Sequence, residues 1–197
     1  MSQNKVNCGR RRLLAATAVL SGTGGLAAIY PLVVSLMPTD GSDFAEEPLE
    51  VDVANLMVGA MMTVNWSGKP LWIIRRTPAM LESLLGSSEA LLDPQSQQPQ
   101  QPSNCVNLHR SIRPDILVVI GTCTHLGCLP IAKFRPGEAE NMPADWQGGF
   151  LCPCHGATFD LAGRVFKNTL AKLNLLVPPH VFLSENRLLI GADKKGA

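Results

Sequence analysis

The chain has 197 residues, 46% apolar and 17% charged, against ~25% charged in an average globular domain; this excludes a disordered or fibrous protein and leaves room for one domain of roughly 100–150 residues plus a further segment. The net charge of +1 hides a split: residues 1–37 carry Lys5, Arg10, Arg11 and Arg12 and no acid, while residues 38–197 carry 13 bases and 16 acids. A mildly acidic globule without a basic stripe excludes nucleic acid as a partner.

Leu13 to Met37 is a run of 25 residues without a charge. As a helix it reaches about 37 Å, enough to cross a hydrocarbon core of about 30 Å. Gly22, Gly24, Gly25 and Pro31 suit a membrane helix better than a soluble one. The basic residues ahead of it put residues 1–12 on the cytoplasmic side, and everything after Met37 outside. Arg10-Arg11-Arg12 followed by Leu13-Leu14 also looks like a twin-arginine export signal. The alternative is a cleaved signal peptide. Its one Ala-x-Ala site, Ala16-Thr17-Ala18, comes early in the run and would leave most of it on the mature chain. An uncleaved anchor over 13–37 is therefore expected, held in membrane lipid. Residues 38–48, from Pro38 to Pro48, are polar and turn-rich, and read as a flexible tether.

Residues 49–197 read as an external, mostly β domain. Leu49–Val53 alternates, and Met61–Trp66 with Leu71–Arg75 brackets Ser67-Gly68-Lys69-Pro70 as a hairpin. Thr77-Pro78 followed by Met80, Leu81, Leu84 and Leu85 predicts a short helix. Asp93–Asn104, rich in Gln and Pro, is expected to be an exposed loop without packing. Ile116–Ile120 is wholly apolar and reads as a buried strand closed by Gly121. Val181–Leu183 and Arg187–Ile190 make a second hairpin around Ser184-Glu185-Asn186. The expected fold is all-β, an antiparallel sandwich or partly open barrel.

Four of the six cysteines fall within 32 residues. They lie in two boxes, Cys123-Thr124-His125-Leu126-Gly127-Cys128 and Cys152-Pro153-Cys154-His155-Gly156. Thiolate with imidazole suits zinc or iron–sulfur. Structural zinc usually draws two cysteines spaced two to four residues apart from one turn, whereas Cys152 and Cys154 are separated by a single residue. Cys-x-His with Cys-x-x-His (Cys123, His125, Cys152, His155) matches instead the known ligation of a [2Fe–2S] cluster with two histidines on one iron. Zinc remains the alternative.

Both boxes resemble those of the Rieske iron–sulfur proteins of cytochrome bc complexes. Arg110–Gly121 resembles that family's lead-in strand, and Pro178-Pro179 through Gly191 its closing hairpin. The resemblance implies a Rieske-type fold with a cluster-binding part at about 119–167. It implies that Cys123 and Cys152 bind one iron, that His125 and His155 bind the outer one, and that Cys128 and Cys154 form a disulfide. It further implies that His155 meets quinol, that Leu126 and Gly127 help shape the surface docking on cytochrome b, and that a c-type cytochrome accepts the electron. The tether would let the domain swing between these partners. Such subunits sit in a dimeric complex of the bacterial inner membrane, with the cluster domain on the periplasmic side. The alternative is a membrane-tethered Rieske carrier or redox sensor outside any such complex. Cys8 is expected to be a cytoplasmic thiol and Cys105 structural, with His109 and His180 as ordinary surface or packing residues.

Neutral imidazoles in place of thiolates make the reduced centre less negative and raise its potential. Their outward nitrogens can titrate, which couples an electron to a proton. Against this, the family's second box usually continues Gly-Ser-x-Tyr, and here it is Gly156-Ala157-Thr158-Phe159. The Ser and Tyr hydroxyls that donate toward the cluster are replaced by Ala157 and Phe159, so a lowered potential is expected unless Thr158 compensates. The segment resembling the family's proline loop, Asn168–Asn174, has Leu170 and Lys172 where prolines are expected, which predicts a looser cover.

Overall fold

The computed structural model describes residues 8–36, 47–86, 88–137, 142 and 146–192. The chain divides into two compact units, residues 1–45 and 46–197. In the first, helix α1 spans Cys8–Leu36. It begins five residues ahead of the expected Leu13 and runs through Arg10–Arg12. Within it, Gly9–Pro31 is long and apolar enough to cross a membrane. Thr17 Oγ1 donates to the Leu13 and Leu14 carbonyls, and Thr23 Oγ1 to those of Val19 and Leu20, at 3.0–3.2 Å. These hydroxyls are thus satisfied inside the helix, as an apolar solvent requires. The expected end at Met37 and tether residues 38–46 lie outside the described residues.

The second unit is built from three three-stranded antiparallel sheets. In the first, β1 (Leu49–Asp52) pairs with β9 (Arg187–Ile190), which pairs with β8 (His180–Phe182). The central sheet joins β2 (Met61–Trp66), β3 (Lys69–Arg75) and β4 (Ile116–Ile120). The third joins β5 (Ile131–Lys133), β6 (Gly149–Leu151) and β7 (Thr158–Phe159). No periodicity marks this last sheet in the sequence, because its strands have two or three residues, too short for a period.

The central sheet is covered on both faces, which is why β4 is apolar throughout rather than alternating. One face (Leu71, Ile73, Val118, Ile120) packs on Val51, Leu188 and Ile190 of the first sheet. The other (Trp72, Ile74, Leu117, Val119) packs on Phe150 and Phe159 of the third sheet and on Met80 and Leu84. Those last two lie on α2, Pro78–Gly86, whose first turn is capped by Thr77 Oγ1, which accepts from the Met80 amide at 3.1 Å. Burying each large apolar side chain contributes about 1.5–3 kcal/mol, so the two cores outweigh any single polar contact. The hairpin of β2 and β3 is tighter than expected, Trp66 facing Lys69 across Ser67 and Gly68, both with positive φ.

Asp93–Asn104 departs from the sequence reading. The segment is docked, not free: Ser96 is buried, and the Asp93 carboxylate accepts from the Gln97 and Gln98 amides at 2.9 and 3.0 Å. Arg110 donates to the Gln100 carbonyl and Gln101 Oε1, and the Val177 amide donates to the Gln100 carbonyl at 2.9 Å. Carboxamides and main-chain carbonyls hold this segment, so its lack of apolar residues says nothing about its order.

Candidate metal centre

The two boxes form the same turn twice. Cys123 N donates to the Cys128 carbonyl at 2.7 Å and Gly127 N to the Cys123 carbonyl at 2.9 Å. Cys152 N likewise donates to the Ala157 carbonyl at 2.7 Å and Gly156 N to the Cys152 carbonyl at 3.0 Å. In each, the fifth residue is a glycine with positive φ, +76° at Gly127 and +68° at Gly156, a conformation that side chains resist. The first turn connects β4 to β5 and the second connects β6 to β7, so the third sheet presents both.

The turns separate the donors by depth. Cys123 and Cys152 are buried, His125 is half-buried and His155 exposed. The two imidazoles stand edge to face with centroids 4.9 Å apart. Burial pushes the Cys123 thiol up, and neighbouring Cys152 adds to this, while the backbone amides of His125 and Leu126 act against it. Those amides are dipoles placed to stabilise a sulfur anion. Cys128 and Cys154 are joined in a disulfide that ties the turns together. An inner thiol pair under an outer imidazole pair is a donor set that fits a two-iron cluster with unlike ends.

Ala157 and Phe159 are fully buried in the core that contains Cys123 and Cys152. Thr158 lies between them on β7, so its side chain takes the opposite face, where it lines a cleft with Trp146 and Lys167. Leu126 is 69% exposed at the tip.

The segment over the turns is fastened by hydrogen bonds where prolines were expected. Thr124 Oγ1 donates to the Leu173 carbonyl at 2.6 Å, and Thr169 Oγ1 bonds to the Phe166 and Ala171 carbonyls. Buried Asn174 accepts from the Val165 amide at 2.8 Å and donates to the Asp93 carbonyl at 3.1 Å. Leu170 and Lys172 are exposed. The sequence reading missed Thr124 and Asn174 as fasteners, since their partners lie far away in the chain.

It also missed three buried guanidiniums behind the site. Arg164 pairs with buried Asp160 at 2.7 Å. Arg76 donates to the Leu161, His109 and Pro114 carbonyls and to Ser111 Oγ. Arg110 donates to the Ala162, Gly163 and Leu175 carbonyls. Burial brings Arg76 and Arg110 down to about 10, opposed chiefly by Asp160, so both stay charged at neutral pH. The one available signal was Asp160 four residues before Arg164. Cys105 is buried, and burial pushes its thiol up to about 11, as befits a structural residue. His180 is buried, and its Nδ1 bonds to the Pro178 carbonyl at 2.8 Å.

Comparison with known proteins bears on this geometry. The Rieske [2Fe-2S] domain model matches residues 49–176. The ubiquinol-cytochrome c reductase iron-sulfur subunit of Allochromatium vinosum is 47% identical over all of this chain and 95% of its own length. That of Rickettsia conorii is 36% identical over 96% of this chain and 97% of its own. The cytochrome b-c1 complex subunit Rieske-1 of Nicotiana tabacum is 43% identical over 73% of this chain and 48% of its own. Both thiol–imidazole turns and the disulfide fall within the matched span, and the chain belongs to the Rieske [2Fe–2S] domain family.

Proposed function

We propose that this chain is the iron–sulfur subunit of a quinol–cytochrome c reductase, anchored by α1 in a bacterial inner membrane with residues 49–197 on the periplasmic side. Residues 1–12 are its cytoplasmic end and 38–48 its tether. Cytochrome b, a c-type cytochrome and quinol are its partners in a dimeric complex. The observation that carries this reading is the separation of donors by depth, together with relatives of the same description matched over nearly their whole length.

Cys123 and Cys152 are the inner ligands, and His125 and His155 the outer. The [2Fe–2S] cluster supplies a one-electron relay when bound. His155, the more exposed imidazole, accepts the quinol hydroxyl hydrogen bond and takes its proton. Leu126 offers an apolar contact that keeps water from this approach, with Gly127 leaving room beside it. The Cys128–Cys154 disulfide and Thr124 keep the turns in register while the proton moves. Ala157 and Phe159 provide no hydroxyl toward the buried sulfurs, which sets the potential low.

Purification from membranes tests the reading. Iron and labile sulfide in equal amounts, a Rieske-type paramagnetic signal and co-purifying cytochrome b with a c-type haem are expected. A colourless chain with one zinc atom overturns the ligand assignment, and a lone Rieske polypeptide overturns the complex.

A further inference from the structure

Cys152 is a free thiol, 1% exposed, and a single residue, Pro153, separates it from bridged Cys154. The sulfurs of Cys128, Cys152 and Cys154 all lie within 4.8 Å of one another. A thiol sulfur thus stands within 4.8 Å of both sulfurs of a disulfide, the neighbourhood that thiol–disulfide exchange needs. Cys123, the other free thiol of the site, is not in this group of three. We infer that Cys152 is the nucleophile of an internal thiol–disulfide exchange that the bound cluster prevents: in the unloaded chain it attacks Cys128, forms a Cys128–Cys152 bridge and releases Cys154.

The step balances without an outside reagent. A sulfur–sulfur bond forms between Cys152 and Cys128 while the bond between Cys128 and Cys154 breaks. The proton from the Cys152 thiol ends on Cys154, and the chain holds one disulfide before and after. The direction follows from exposure. Cys154 is solvent-exposed and Cys128 only half-buried, so the leaving thiol at Cys154 is hydrated at once. The opposite attack, on Cys154, would close a small ring around Pro153 and untie the two turns. Exchange toward Cys128 keeps them tied.

The consequence is an order of assembly. An iron-bound Cys152 has its sulfur held in place and its charge shared with the metal, so it is a poor nucleophile and loading preserves the bridge. An unloaded chain exchanges, loses a ligand and stays empty until a dithiol reduces the Cys128–Cys152 bridge to two thiols, itself becoming a disulfide, and so frees Cys152 to bind again. The inference rests on Cys152 being an iron ligand, and the test separates the two claims.

The full chain is purified loaded, and its iron content and colour are read first; a chain without iron fails the ligand assignment. Iron is then removed anaerobically with a chelator, exchange is stopped with acid, and free thiols are alkylated and mapped by mass spectrometry. Expected are loss of the Cys128–Cys154 linkage, gain of Cys128–Cys152, and transfer of label from Cys152 to Cys154. Reloading with iron and sulfide is lost in the same proportion and returns after dithiol treatment. Two empty variants complete the design: Cys123→Ser retains the nucleophile and should exchange, whereas Cys152→Ser should keep Cys128–Cys154 intact. An iron-free chain that keeps its original bridge, or a Cys152→Ser chain that still exposes Cys154, overturns the inference.

Discussion

Ala157 is fully buried in the core that contains Cys123 and Cys152, with a methyl where the resemblance of the second box leads one to expect a hydroxyl. A hydrogen bond to a charged group is worth roughly 1.5–3 kcal/mol, and 59 mV is a factor of ten for one electron. Ala157→Ser should therefore raise the midpoint potential by about 60–130 mV, read by redox titration of the paramagnetic signal. No shift would show that the residue does not face the cluster. His180 sets a pH limit. Its pKa lies below the usual 6.5, mainly because burial strips water from the cation, with the Pro178 carbonyl acting in opposition. The unfolded residue protonates near pH 6.5 and the folded one only at lower pH, so the unfolded state binds more protons in that window. Stability is complete above about pH 6.5 and is lost as the pH falls toward the folded value. In His180→Gln, the acid-side decline in denaturation midpoint should be shallower than in the parent. The candidate ligand residues were legible because each box of five or six neighbours carries its own spacing. Thr158 was ambiguous, since which face of β7 it takes depends on a strand too short to announce itself.

At the level of elements, Asn174 connects what the sequence keeps apart. Its carboxamide bonds to Val165, Asp93 and Ser96 at 2.8–3.5 Å, one residue after the carbonyl that holds Thr124. Asn174→Ala leaves a buried amide unsatisfied at a cost of about 1–3 kcal/mol. It should lower the denaturant midpoint and speed proteolytic cutting of Asp93–Asn104, while Lys172→Ala, at an exposed site, should do neither. The two hairpins and β4 were legible from alternation and apolar runs. The docking of Asp93–Asn104 was not. Its partners, Arg110, Asn174 and Val177, are non-local, and polar composition says how much apolar surface a segment can bury, not how many main-chain carbonyls it can offer to a buried guanidinium.

Across the whole molecule, Arg76, Arg110 and Arg164 are buried around Asp160, the only buried acid among the described residues. Removing one partner from a buried pair costs about 3–5 kcal/mol because the remaining charge has nowhere to go. Asp160→Asn should strip enough stability to reduce the yield of loaded chain sharply, checked by iron content per polypeptide and thermal unfolding. Residues 46–197 form a compact unit with two cores of their own. A protein cut after residue 45 should remain in solution without detergent, retain its paramagnetic signal and lose its association with membranes. The first sheet of that unit has a temporal meaning. Leu49 lies opposite Ile190, so the first strand of the domain waits until Ile190 has been made before it finds its neighbour. A nascent chain halted before Arg187 leaves one face of the central sheet wet. Closure therefore waits on the synthesis of Arg187–Ile190, and any route that delivers this domain already shut must hold the polypeptide back until that strand has come home.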